Sequence, residues 1–222
     1  MHPNWRVLII GGGDLGLLLA HHIKSISGWE FAGFVDDFNP KGATTAGPVL
    51  GGTNDVRALA ADGVCNAFLV AVGYRHFRAR QELFERFIDV LPSPAMIHPT
   101  AHVDETAKVG AGSVIFPRAI VDAGSVIDEN VLLNTAATVC HHSRVGAHSF
   151  VAPAACIAGF CRVGRRCFVG INSTLRDNIH VVDDATIGAG AVVARNITNS
   201  GIYVGVPARR FEASGMGASE DS

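Results

Sequence analysis

The stretch ATVCHHSRVG, residues 137–146, sets two histidines side by side, His141 and His142. An imidazole titrates near neutrality, so it is the side chain best suited to take a proton from an amine or hydroxyl at physiological pH. Two other clusters could carry chemistry. Gly11, Gly13 and Gly16 fit G-x-G-x-x-G between the apolar run RVLIIG and an amphipathic segment, the setting in which backbone N–H groups at a helix start meet a phosphate. Asp36 and Asp37 close the run WEFAGFVDD. A carboxylate there can accept two parallel hydrogen bonds from guanine N1–H and N2–H, whereas uracil or thymine offers one such donor. The chemistry in view is proton transfer beside a bound nucleotide.

The elements that position these residues follow from a repeat. From Val103 to Val193 an aliphatic residue stands at every sixth position, and four residues after each comes a mostly small one, such as Ala107, Ser113, Ala119 or Ser125. A helix needs a period of 3.6, and hairpins need irregularly spaced turn signals, so neither gives this pattern. The pattern resembles the hexapeptide repeat of left-handed parallel β-helices, three hexapeptides to a triangular coil. Residues 103–198 then make about five coils, a prism on the order of 25 Å tall. That resemblance points the aliphatic positions inward and puts the second and third positions after them outside, which places His141 and His142 on the surface.

The residues before the repeat alternate apolar runs with amphipathic segments, which predicts a small parallel α/β domain. Ligands of such sheets bind at the carboxyl ends of the strands, where Gly11, Gly13, Asp36, Asp37, Gly73 and Tyr74 gather, with Arg78 on the helix that follows. This length suits one nucleotide better than two. The expected organisation is a Rossmann-like domain over 1–97, a left-handed β-helix over 98–211, and a disordered tail over 212–222.

The stretch LNTAATVCHHSRVGAHSFVAPAACIAGFCRVGRRCFVGINSTL, the N-terminal domain and the closing GIYVGVPARR resemble the sugar acyltransferases that act on amino-sugar nucleotides. The resemblance implies an N-acetyltransferase with acetyl-CoA as co-substrate and no metal, in which His141 is the catalytic base and Asn134, seven residues before it, belongs to the catalytic pair. It implies that the α/β domain holds the nucleotide of a nucleotide-sugar, with His142 beside the substrate. Phe150, Gly159, Gly170, Asn172, Pro207 and Arg209 are then assigned to acetyl-CoA, and the repeat itself adds that Gly159, 18 residues and so one coil after His141 on the same face, can offer its backbone N–H to the oxyanion. Members acting on the C4 amine of GDP-perosamine match best; UDP- and dTDP-linked 4-amino sugars are the alternatives. Two positions depart from the family pattern. His142 stands where many members have an acidic residue, and Phe150 where many have a second histidine. The family is trimeric, and Phe116, Phe160 and Phe168 at nominally outward positions point to an apolar interface in a homotrimer.

With 222 residues, 48% hydrophobic and 17% charged, and a formal charge of -2, the chain reads as a soluble globular protein with no electrostatic call for nucleic acid or a membrane. The five cysteines lack CxxC spacing, no signal peptide is evident and no run approaches ~18 apolar residues, so reduced thiols in the cytoplasm are expected. Cys161 and Cys167 occupy small positions of the repeat and are read as packing residues, as His98, His102, His148 and His180 are read as structural or surface residues. Two other classes stay open: a zinc enzyme like the β-helix carbonic anhydrases, using His141, His142 and His148, and a non-catalytic sugar-nucleotide binding module.

Overall fold

The computed structural model describes residues 4–39, 41–43 and 46–212; apart from Glu212, the expected tail lies outside them. The chain begins with β1 (Trp5–Ile10), α1 (Asp14–Ile23), β2 (Trp29–Val35), β3 (Gly42–Ala43), β4 (Pro48–Gly51), α2 (Val56–Ala61), β5 (Ala67–Val70) and α3 (Phe77–Phe87). The sheet order is β3-β4-β2-β1-β5, parallel except for the β3–β4 pair. Apolar cover on both faces makes β1 and β5 continuous apolar runs, and Val7–Ile10 and Ala67–Val70 are all buried. The order reverses at β1: β2 lies on one side of it and β5 on the other. Such a switch point opens a crevice at the carboxyl ends of the two strands. Two glycines make the turn possible. Gly11 has φ +107°, and a Cβ on Gly16 would collide with the Gly11 carbonyl oxygen, so α1 packs tightly against the end of β1.

From Met96 onward the chain coils into a three-sided parallel β-helix. Ile120 pairs with Thr138 and Val121 with Val139, one coil per 18 residues, and this register repeats on every side. The first face carries the pairs at Met96, Val114, Leu132, Phe150 and Phe168, then Ala185–Ile187, Gly201–Val204 and Arg209–Arg210. The second face carries the pairs at His102, Ile120, Thr138, Cys156, Thr174 and Val192, and the third those at Lys108, Val126, Arg144, Arg162 and His180. The aliphatic positions fill the prism, from Ile115 and Val121 through Val193, as their spacing requires.

The corners carry a signature that the aliphatic spacing does not reveal. Every sixth residue from Gly112 to Gly190 has a left-handed backbone, with φ between +52° and +68°, and eleven of these residues are not glycine. This conformation costs an L-residue about 1–2 kcal/mol. Stacking offsets the cost: the corner N–H donates to a carbonyl of the coil before, as from His142 N to Ala123 O (2.9 Å) and from Phe160 N to His141 O (3.1 Å). The small positions also do more than fit. Ser125, Ser143 and Ser149 donate their hydroxyls to the carbonyls of Cys140, Ala158 and Gly164 and accept N–H bonds from the next coil, and Cys161 and Cys167 continue the ladder with Sγ. Burial raises both thiols, that of Cys167 up to about 12, which makes them packing groups and not nucleophiles.

The first face is covered by the α/β unit, and the two share a core that joins Ile9, Leu19 and Phe34 to Met96, Val114, Leu132 and Phe150. Phe116 and Phe168 belong to this junction. Phe116 is fully buried, its ring 5.1 Å from His22, and Phe168 stacks with Tyr74 at 4.3 Å. They are therefore not the intersubunit surface that their outward positions suggest; of the three phenylalanines, only Phe160 is exposed. Arg80 crosses the junction at 0% exposure. Its guanidinium donates to the Val70, Val72 and Asn130 carbonyls at 2.8 to 3.3 Å, tying the end of β5 to a corner of the prism. Burial lowers its pKa to about 10, so it stays charged. Asn130 Nδ2 lies 3.0 Å from Nδ1 of His148, and His148 is 1% exposed.

Candidate active site

Two clefts meet at the switch point. One, of about 330 Å³, is lined by Ile10, Gly11, Gly13, Asp36, Asp37, Phe38, Thr53, Val72, Gly73 and His76. The other, of about 630 Å³, runs on through Gly13, Asp14, Leu15, Gly73, Tyr74, Arg75 and His76. Of the residues expected at the nucleotide, the structure brings together Gly11, Gly13, Asp36, Asp37, Gly73 and Tyr74. Arg78 does not join them; it lines a separate cleft with Gln81, Glu82, Glu85 and Arg166. His76 lines both clefts, and no sequence motif singled it out.

The two aspartates differ. Both Asp36 oxygens are occupied: Oδ2 accepts from Gly12 N (2.6 Å) and Asn39 Nδ2 (3.0 Å), and Oδ1 from Phe38 N (2.8 Å) and Asn39 N (2.9 Å). Partial burial alone would raise its pKa, but these donors outweigh it and hold the carboxyl below its usual value. Asp36 therefore fixes the glycine turn against the loop after β2. Among the described residues Asp37 accepts only from Thr53, its Oδ1 from N (2.6 Å) and its Oδ2 from Oγ1 (2.9 Å), which leaves each oxygen a further lone pair.

The second centre lies on the prism at the corner between its second and third faces. His142 occupies the left-handed corner position with φ +57°, its ring stacked on Phe160 at 5.2 Å and 16°. His141 precedes it and leans over the next coil. A Cβ on Gly159 would lie 2.7 Å from His141 Cε1, so the imidazole rests on bare backbone. Among the described residues the Gly159 N–H has no hydrogen-bond partner, while its carbonyl accepts from Asn178 N. Nδ1 of His141 and Nδ1 of His142 are 3.3 Å apart. For the two to bond, one Nδ1 donates and the other accepts.

Asn134 does not reach His141. It sits just after the first face, and its Oδ1 accepts from Thr135 N (2.7 Å). Gly170 and Asn172 share that corner column: Gly170 because a Cβ would lie 2.5 Å from Ile187 O, and Asn172 as a left-handed corner residue. Phe150 is buried in the junction, 5.5 Å from Tyr74. Pro207 and exposed Arg209 lie in the closing hairpin on the first face. Within one chain the residues assigned to acetyl-CoA therefore divide between different edges of the prism. His148, buried at a third corner, does not converge with His141 and His142, and among the described residues no three or more His, Cys, Asp or Glu side chains gather where they could hold a metal ion. Among the same residues, no helix is long and apolar enough to cross a membrane.

Comparison with known proteins accounts for both parts. Residues 6–87 match the model of the PglD N-terminal domain, and residues 91–203 that of the GMPPB C-terminal domain. The acetyltransferase domain of PglB from Neisseria gonorrhoeae, solved with acetyl coenzyme A, is 31% identical over 94% of this chain and all of that one, with a TM-score of 0.86. A mutant of perosamine N-acetyltransferase from Caulobacter crescentus, solved with CoA and GDP-perosamine, is 30% identical over 93% of this chain and 97% of that one, with a TM-score of 0.88. UDP-3-O-acylglucosamine N-acyltransferase from Bordetella pertussis is 34% identical over 104 residues, 47% of this chain but only 28% of that protein's length. With family models matched over residues 6–87 and 91–203 and similarity along nearly its whole length, the chain belongs to the hexapeptide-repeat family of acyl- and acetyltransferases.

Proposed function

We propose that the chain transfers an acetyl group from acetyl-CoA to the C4 amine of a nucleotide-linked 4-amino-4,6-dideoxy sugar, on a left-handed coil joined to a Rossmann-like nucleotide domain. GDP-perosamine is the first substrate to test, followed by UDP- and dTDP-linked sugars. The observation that carries the reading is His141, an outward imidazole lying on the bare backbone of Gly159 beside a free N–H. The amine attacks the thioester carbon, the carbonyl becomes an oxyanion, and collapse expels the CoA thiolate. The Gly159 N–H is the donor available to that oxyanion. His141 takes the proton that the new ammonium must lose and returns it to the thiolate, giving amide and free thiol. With its Nδ1–H donated to His142, Nε2 is left free to accept.

The same geometry favours a homotrimer. The nucleotide cleft stands over the first face, and His141 lies at the opposite corner, so no single chain completes a site. Each cleft is served by His141 of the partner subunit, and the CoA residues on separate edges come together in the same way. Thiol release from acetyl-CoA, measured with GDP-, UDP- and dTDP-4-amino-4,6-dideoxy sugars, tests the proposal: turnover with one of them and none without sugar is expected, and absence of thiol release with all three overturns it.

A further inference from the structure

Phe38 is 97% exposed, although it follows a hydrogen-bonded pair of aspartates and lines the smaller cleft with Gly11, Asp37 and Thr53. Its backbone is pinned by the N–H bond to Asp36 Oδ1, so the ring stands at the cleft rim on a fixed stem. A large apolar ring held in water at the mouth of a binding cleft is a surface that a flat partner would cover. The cleft opens at the switch point of a parallel sheet, beside the glycine turn at the start of α1, where a diphosphate is expected. A nucleobase is the flat group that lies about one ribose away from such a diphosphate. Next to the ring, Asp37 retains lone pairs for a base N–H, whereas Asp36 has spent its own on the loop.

We propose that Phe38 is the platform on which the base of the nucleotide stacks, with the N–H edge of the base turned to Asp37 and not to Asp36. This rests on the nucleotide-sugar reading and names its base subsite. Stacking tolerates any base, because each presents a π-face, while the carboxylate favours the base with more donors.

Calorimetric titration of the full chain tests it, with GDP, UDP and dTDP, and with methyl diphosphate as a probe that lacks a base. Phe38→Ala should weaken the nucleoside diphosphate that binds best about five- to a hundred-fold and leave methyl diphosphate and the melting temperature unchanged. Phe38→Trp should restore binding. Asp37→Asn should weaken that nucleotide without affecting methyl diphosphate. Equal nucleotide affinity in wild type and Phe38→Ala, or an equal loss for nucleotide and methyl diphosphate, overturns the platform. If the wild-type protein binds none of the three nucleotides, it is the nucleotide-sugar reading itself that fails.

Discussion

The imidazole of His141 occupies the space that a side chain on Gly159 would need: a Cβ there would lie 2.7 Å from Cε1 and 2.8 Å from Nε2. The ring thus lies over the side of the coil that only a glycine leaves open. Gly159→Ala should therefore push the ring outward while the prism folds as before, because His141 itself is exposed. The expected result is a fall in kcat of about tenfold or more, since misplacement on the order of 1 Å carries such costs, at an unchanged melting temperature. A kcat within twofold of wild type would show that His141 does not act from this position.

His141→Asn keeps a polar side chain of similar size and removes the base. On the proposed mechanism kcat falls by about 10² to 10⁴ with KM for the sugar nearly unchanged. The limb of the pH–rate profile that belongs to this base should vanish in the variant; its persistence would assign the proton transfer elsewhere.

His142 has two duties, the left-handed corner and the Nδ1 that faces His141 at 3.3 Å. Asparagine tolerates that backbone and offers an amide oxygen to the Nδ1–H of His141. His142→Asn should hold kcat within about tenfold of wild type. If it loses as much as His141→Asn, the outer face has been read one residue out of register.

Burial, with Arg165 and Arg80 nearby adding to it, pushes His148 down to about 4, and burial followed by His98 and His21 lowers His22. His148 stays neutral in the folded state while the unfolded chain takes up a proton below about 6.5, so its contribution to stability is full above that pH and declines as the pH falls towards 4, and the lowered His22 acts in the same direction. Asp36, with its lowered pKa, adds to the loss only below its ordinary value of 3.8. Urea midpoints at pH 7.5 and pH 5 should differ, with the lower midpoint at pH 5. Equal midpoints would mean that His148 is accessible to protons in the fold.

If the site is shared between chains, two inactive variants should repair one another. His141→Asn keeps an intact cleft, and a cleft-disabled variant such as Gly13→Trp keeps an intact His141. Unfolded together and refolded as a random mixture, they should recover about a quarter of wild-type activity, because a site works only when an intact cleft meets an intact histidine from the neighbouring chain. No recovery in a mixture shown by mass to contain both variants would place the whole site within one chain.

How far the sequence is legible depends on whether a feature repeats. The aliphatic positions Val103 to Val193 recur at a constant interval, and the coil register follows from them without further information. The corner conformations share that interval but are written in mixed residue types, including Arg118, Ala136 and Phe160, because stacking and not local preference imposes them. His141 could be picked out as an outward residue and Gly159 as its neighbour one coil on, yet that the missing side chain of Gly159 is what makes room for the imidazole shows only in the folded coil. Arg80 was not legible: on an amphipathic helix it reads as a solvated charge, and only the docking of the β-helix buries it. Asp36 and Asp37 look equivalent in the sequence, and the hydrogen bonds of the folded loop are what separate them.

The joint between the two parts of the chain has an unusual electrical character. The cation at its centre, Arg80, bonds to the carbonyls of Val70, Val72 and Asn130 and, among the described residues, to no carboxylate. Dissolved salt weakens attraction between opposite charges across water, over about 10 Å at 0.1 M, but a dry guanidinium held by carbonyl dipoles offers mobile ions nothing to screen. The hold of this one cation on the two parts is accordingly indifferent to ionic strength, unlike the charged rim where Arg78, Glu85 and Arg166 line an open cleft, and what can loosen it is a solute that competes for peptide carbonyls.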